Sequence, residues 1–316
     1  MSLFAQYFLL SLPLFGLVFA GYALASWSRW PRRLTAGLST FVFAVALPAY
    51  LFRMMAGFSQ LPAVDSRLLF AFFGSCFIVF AVGRVVAWQA FGLDGVAQSI
   101  FGLGGVFSNN LMLGLPLARV TLGEAALPSI ALVLVFNALI LWTLVSVSIE
   151  WARHGALTAR GFAKTAWGVV TNPIVAGIIL GTLFGMAGFV LPRVVDLPLS
   201  VLGDIATPLS LAVVGMGLAE YSVRDDWQQS ASITALKLVL QPAVVWLLAL
   251  GLGLPPMETK AVVLLASCAV GANVYLMSMQ FRSLQGAVAS SLVLSTALAA
   301  ITTPVFLTAL AFLYDS

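Results

Sequence analysis

Charged side chains are scarce. Fifteen Lys and Arg and eleven Asp and Glu make up only 8% of 316 residues. A soluble domain carries roughly 25%, so this chain cannot cover a water-exposed surface. Histidine occurs once, as His154, and cysteine twice, as Cys76 and Cys268. No paired-histidine site, zinc site or disulfide framework can be built from them. Both cysteines lie in apolar runs and read as small buried side chains. His154 lies in a polar loop and is not expected to act as ligand or catalyst. Glu124, Glu150, Glu220 and Glu258 fall at the ends of apolar runs or in loops. There is no phosphate loop and no Gly-x-Ser-x-Gly, so the expectation is a chain that is not an enzyme and needs no cofactor or metal. The net charge of +4 does not mark a nucleic-acid binder, because the basic residues lie mostly between apolar runs.

What is abundant is hydrocarbon: 61% of residues are hydrophobic and the mean hydropathy is +1.07. A spanning helix needs about 20 apolar residues. The sequence reads as an all-α polytopic membrane protein with ten spans, at about 3–25, 34–55, 67–90, 97–118, 127–149, 165–188, 197–220, 230–252, 259–281 and 285–313. The last is long and contains Pro304, so a tilt or kink is expected. No basic residue precedes the first run, which contains Pro13, so a retained first helix is favoured over a cleaved signal. The one sizeable loop, Glu150 to Lys164, holds Arg153, Arg160 and Lys164.

Loop charge sets the orientation. Arg29, Arg32, Arg33, Arg153, Arg160, Lys164, Arg224 and Arg282 fall on one side, and Arg53, Arg67, Arg119, Arg193 and Lys260 on the other. The richer side is cytoplasmic by the positive-inside rule, which puts both termini outside. A bacterial inner (plasma) membrane is the expected location.

The halves repeat. Pro13, Gly21 and Pro48 recur 160 residues later as Pro173, Gly181 and Pro208. Asn110, Arg119 and Gly123 recur 163 residues later as Asn273, Arg282 and Gly286. The division is 1–150, a loop at 151–164, and 165–316. Five helices per half is odd, so the second half enters the membrane inverted, as in many secondary transporters.

Polar residues inside the spans are the candidate site. Asn109 and Asn110 are adjacent in the fourth span, with Ser108 before them and Gly114 and Pro116 after. Proline removes an amide donor and clashes with the preceding turn, so a break is expected at Gly114–Pro116. Broken backbone at membrane depth faces protein or a water-filled cavity. An opened helix offers free amides and a positive dipole end, both suited to an anion. Asn273 is the repeat partner of Asn110, with Gly271 permitting a second break and Tyr275 close by. Asn137 lies midway along the fifth span. For each amide, hydrogen bonding between helices is the competing reading. Asp204 and Lys237 are ionisable groups within spans, where function is the default hypothesis. Arg84 is expected to snorkel to the cytoplasmic surface. Gly102-Leu103-Gly104-Gly105 reads as close helix packing.

These segments resemble the auxin efflux carrier family, which includes plant PIN-FORMED proteins and bacterial malonate-type carriers, along nearly the whole chain. Asn109-Asn110-Leu111-Met112-Leu113-Gly114-Leu115-Pro116-Leu117 resembles the family's Asn-Thr-Leu-Val-Met-Gly-Ile-Pro-Leu, with Asn110 standing where plant members have Thr. Asn137, Thr143 and Glu150 resemble the family's fifth helix, and Asn172-Pro173 its sixth. Asp204 and Gly215 match its seventh helix, and Lys237 with Pro242-Ala243-Val244 its eighth. Val274 stands where the ninth helix commonly has Pro, and the long cytoplasmic loop of many plant members is absent. The resemblance implies the crossed-helix fold of bile-acid symporters and sodium/proton antiporters. It implies a scaffold of helices 1, 2, 6 and 7, a transport domain of helices 3–5 and 8–10, and a homodimer.

The expected function is secondary transport of a small organic anion, a carboxylate such as malonate or an auxin-like acid, by an elevator-type mechanism. Asn109, Asn110, Asn137 and Asn273 would line the site, helped by Ser108 and Tyr275. The alternatives are a cation-coupled carrier of the same fold, with Asp204 or Lys237 in the coupling, and a non-transporting receptor.

Overall fold

Backbone in hydrocarbon must satisfy its own hydrogen bonds, and the regular elements among the described residues are helical, joined by one isolated antiparallel bridge between Ser108 and Val270. The computed structural model describes residues 3–27, 31–57, 65–154, 173–219 and 227–314. Arg29, Arg160, Lys164, Asn172, Glu220 and Arg224, named above for charge or resemblance, lie outside the described residues.

Among the described residues, seven segments are long and apolar enough to cross a bilayer: Leu3–Trp27, Arg33–Ala56, Arg67–Phe91, Glu124–Ile149, Arg193–Leu218, Trp227–Gly251 and Gln285–Tyr314. We number the α-helices α1 (Leu3–Trp27), α2 (Arg32–Phe41), α3 (Leu47–Ala56), α4 (Arg67–Phe91), α5 (Gly95–Gly104), α6 (Leu115–Thr121) and α7 (Leu127–His154). Then follow α8 (Pro173–Met186), α9 (Arg193–Leu218), α10 (Trp227–Ala235), α11 (Gln241–Gly251), α12 (Pro256–Ser267), α13 (Ala272–Phe281) and α14 (Gln285–Tyr314). Pro304 does not divide α14, which runs unbroken for 30 residues. The other three expected spans are not single long helices. The sixth is represented by α8, the fourth is split into α5 and α6, and the ninth into α12 and α13.

Three π-helical turns, Val42–Ala46, Asn110–Gly114 and Leu236–Leu240, share one cause. Each ends two residues before a proline, at Pro48, Pro116 and Pro242. A proline inside a helix leaves the carbonyl four residues back without a donor and crowds it. Widening the preceding turn relieves that clash without ending the helix. Gly114, for example, donates its N–H to the Asn109 carbonyl at 3.0 Å.

This corrects the expected break at Gly114–Pro116. Chain 110–121 is continuous helix through both residues. The fourth span opens earlier, between Gly104 and Asn110. The ninth opens at Cys268–Gly271, without a proline.

Two groups of helices pack densely, and they meet where α1 lies on α14 and α6 and where α7 touches α8. α1 lies against α9, and α3 against α8 and α9. α4, α5, α7 and α10–α14 pack among themselves. Glycine sets the first group's spacing: a Cβ on Gly215 would fall 1.8 Å from the Val18 carbonyl oxygen, and one on Gly21 would fall 2.1 Å from that of Ala212. On α8, a Cβ on Gly181 would fall 2.4 Å from the Phe52 carbonyl. In the second group Gly102 and Gly83 meet backbone to backbone, as close packing of the glycine-rich segment requires. Large apolar side chains such as Phe70, Trp88, Leu197 and Val201 point outward, as hydrocarbon solvent favours.

Among the described residues the ion pairs are Arg53–Asp196 (2.6 Å), Arg67–Asp65 (2.5 Å) and Arg119–Glu124 (2.9 Å). Their arginines all belong to the side assigned as outer. Arg84 does not simply snorkel. Its guanidinium donates to Ser148 at 3.0 Å and Gln98 at 3.4 Å, and Ser148 is 2.7 Å from Ser99, which ties α4 to α5 and α7.

Candidate functional site

The two interrupted spans meet at their openings. Asn109 donates its N–H to the Ala269 carbonyl (2.8 Å), and Gly271 donates to that of Phe107 (2.7 Å). These are rungs of an antiparallel pair around Ser108 and Val270. The approach is close: a Cβ on Gly271 would lie 3.0 Å from the Ser108 carbonyl oxygen. Peptide groups freed by breaking two helices therefore satisfy each other inside the protein.

Four half-helix ends converge here. α5 and α12 arrive with their C-terminal carbonyls. The helix beginning at Asn110 and α13 leave with their N-terminal amides. Both N-termini lack a side-chain cap, Asn109 and Gly271 holding the cap positions. The first amides of a helix have no acceptor within it, and the dipole makes that end positive.

Both N-termini open onto one cavity of about 460 Å³. Its polar wall comprises Ser39, Thr40, Ser108, Asn109, Asn110, Asn137 and Asn273, with Gly271 and Ala272 beside them. Its apolar wall includes Phe43, Phe107, Leu111, Leu134 and Leu276. Among the described residues, neither a carboxylate nor a basic side chain lines it. The oxygen of Ser108, both amide atoms of Asn110 and the amide oxygen of Asn137 are buried without a protein partner. A buried polar atom left unpaired costs about 1–3 kcal/mol. Asn110 Oδ1 and Asn137 Oδ1 can only accept, Asn110 Nδ2 can only donate and the Ser108 hydroxyl can do either, and all four lie behind the cavity surface rather than on it. Side-chain amides and hydroxyls, each with donors and acceptors, share this wall with the positive ends of two helix dipoles.

The site residues expected from sequence thus divide. Ser108, Asn109, Asn110, Asn137, Asn273 and Gly271 share the cavity wall. Tyr275 is half-buried and outside it. Gly114 packs under the crossing, where a Cβ would meet Leu265 at 2.9 Å, and Pro116 lies in the helix beyond. Asp204 is exposed on α9, in electrostatic range of Tyr50, Arg53 and Arg119 rather than in the cavity. Lys237 is fully buried in the π-turn Leu236–Leu240, behind the crossing.

Sequence reasoning missed Ser39 and Thr40, and placed Pro173 in the repeat and the sixth span without bringing it to the cavity. A Ser-Thr pair shortly before Phe43 and Pro48, inside an apolar run, was the available signal. Gln241 was also missed. It is fully buried and donates to the Val106 carbonyl at 3.0 Å, next to the crossing.

The π-turn before Pro116 aims Asn110. Closing it to α-helical winding would drop one residue from the turn and rotate the segment before it by about 100°. Pro116→Ala is therefore expected to fold at least as stably as the parent and to lose the Asn110 amide from the cavity wall. The check is ligand-induced thermal stabilisation, which should fall while the unliganded unfolding temperature holds or rises.

A family model described as "Membrane transport protein" (Mem_trans) matches residues 8–307. The chain is also similar to a protein of Rhizobium meliloti (strain 1021) named "Putative malonate transporter". The two are 26% identical over 298 residues, covering 93% of this chain and 92% of that protein.

Proposed function

We propose, from the premise that the chain belongs to the Mem_trans family of membrane transport proteins, the auxin efflux carrier family, that it moves a small carboxylate across the bilayer by alternating access. The observation that carries this reading is the pair of uncapped half-helix N-termini opening, with Asn109, Asn110, Asn137 and Asn273, onto one uncharged cavity. Backbone amides and side-chain amides would take the carboxylate, and the apolar wall would take the rest of the molecule. A volume of about 460 Å³ lies in the range of small-molecule sites. It admits a short dicarboxylate and has room for an aryl acetate. The name of the Rhizobium relative makes malonate the first substrate to try.

In this proposal α1, α3, α8 and α9 are a static scaffold, and the group carrying the crossing slides past them. The repeat supports that division. The contact of Gly21 with Ala212 reappears as that of Gly181 with Phe52, each residue displaced by the same 160 positions. Two inverted five-helix units would produce such a pair and place the crossing at mid-membrane. A second copy would dock on the apolar outer face of α9, where Val194, Leu197, Val201 and Ile205 recur at helical spacing and stand exposed. The protein would sit in a bacterial inner membrane with both termini outside.

The test is a panel of carboxylic acids on purified protein, followed by flux in proteoliposomes. Malonate or another small carboxylate should raise the unfolding temperature, and neutral amines should not. Asn109→Ala should express normally and abolish flux. Full transport by that variant, or stabilisation by cations and amines alone, would remove the reading.

A further inference from the structure

The crossing has two unlike faces. The cavity side holds helix N-termini, and the opposite side holds the C-terminal carbonyls of α5 and α12. Those carbonyls are held from one element. Lys237 donates from its Nζ to the Ala266 carbonyl at the end of α12. Gln241, one turn on, donates to the Val106 carbonyl just past α5. α14 braces the same region: Thr303 donates to the Ser267 carbonyl (3.0 Å), and Ser295 accepts from the Val270 N–H (3.0 Å).

Lys237 is 0% exposed, and among the described residues no Asp or Glu pairs with it. Its partner is the negative end of a helix dipole. Carbonyls at broken half-helix C-termini are where carriers of this general design hold a coupling sodium ion. An ammonium and a monovalent metal ion compete for the same oxygen lone pairs, and here the ammonium is covalently attached.

We infer that Lys237 is a built-in cation of the crossing: its ammonium stands where a coupling ion would bind, fixes the α12 end, and leaves the carrier indifferent to sodium. Lys237 is a positioning residue. It does not line the cavity, and it acts by holding the backbone that aims Gly271 and Asn273 at the substrate. The inference rests on the transport reading for its bearing on coupling, whereas its structural content concerns the crossing alone.

Truncation should open a cation-sized hollow against the Ala266 carbonyl. The experiment compares the unfolding temperature of the whole purified protein in sodium, methylammonium and choline chlorides. The wild type should unfold at the same temperature in all three. Lys237→Ala should unfold lower and recover in methylammonium but not in choline. Lys237→Met fills the space without charge, so it should fold, stay insensitive to methylammonium, and lose malonate-induced stabilisation. A wild type stabilised by sodium over choline, or Lys237→Ala blind to methylammonium, overturns the inference. So does Lys237→Met with an undiminished malonate response. If Lys237→Ala fails to fold, the wild-type salt comparison and Lys237→Met decide. A wild type that responds to no carboxylate at all removes the transport reading, and the salt comparison on Lys237→Ala still reads the built-in cation.

Discussion

Asn110→Asp is expected to fold with lowered stability and to lose transport. The side chain keeps its shape, and the new carboxylate sits in the first turn of the helix that starts at residue 110. A negative charge there gains about 0.5 kcal/mol from the helix dipole, but Asn110 is only 2% exposed and an unpaired buried carboxylate costs several kcal/mol, so the unfolding temperature should fall. The same charge stands in the cavity wall in place of an amide that has no protein partner. An arriving carboxylate would meet repulsion instead of a donor, a change on the order of 3 kcal/mol. That corresponds to roughly a hundredfold or greater loss of affinity. The variant in effect carries its own anion. The measurement pairs unfolding temperature with substrate-induced stabilisation and flux. A protein that still folds, with a lowered unfolding temperature and no substrate response, is the expected pattern, whereas wild-type flux would mean that Asn110 does not face the anion. Asn110→Ala serves as the neutral comparison and should be the milder of the two.

Span locations were legible because a membrane demands about 20 apolar residues in succession, and local composition reports that directly. The end of α1 at Trp27 and the extent of α14 fall close to the expected limits. The openings were less legible. Pro116 pointed to a break that the helix absorbs as a π-turn, because a proline costs one hydrogen bond and some space and a wider turn supplies the space. The opening at Gly105–Asn109 depends instead on partners 160 residues away. Ala269 and Phe107 accept the amides that make an unwound segment tolerable, and no local pattern announces such a pairing. The same partnership explains why the ninth span opens at Gly271 without the proline that the resemblance led one to look for. Asn273 was reachable only through the repeat, and Gln241 by neither route, since a buried amide in an apolar run looks like any bond between helices until the carbonyl it holds is seen.

The glycines between α1 and α9 give the largest expected effect on stability. Gly215→Ala places a methyl carbon 1.8 Å from the Val18 carbonyl oxygen and 2.8 Å from the Tyr22 nitrogen. Both obstacles are backbone, so no rotamer change relieves them and the helices must separate. Overpacking of this kind costs about 1–3 kcal/mol where side chains can adjust, and here they cannot. Separation also loosens the contact at Gly21, whose Cα faces the Ala212 carbonyl from the other helix. Gly217→Ala, two residues away, meets nothing within 4 Å. That substitution should be neutral or gain up to about 1 kcal/mol from reduced backbone entropy. Thermal unfolding of the two alanine variants side by side separates the close approach from helix propensity, since propensity alone would raise both. Gly215→Ala should unfold well below the parent or fail to accumulate as a monodisperse protein, and an unchanged unfolding temperature would mean that α1 and α9 are not in backbone contact. Because α1 and α9 belong to the proposed scaffold, a partly folded Gly215→Ala protein should lose flux before it loses carboxylate binding at the crossing. That order of loss would distinguish a surface the moving unit slides against from the site it carries.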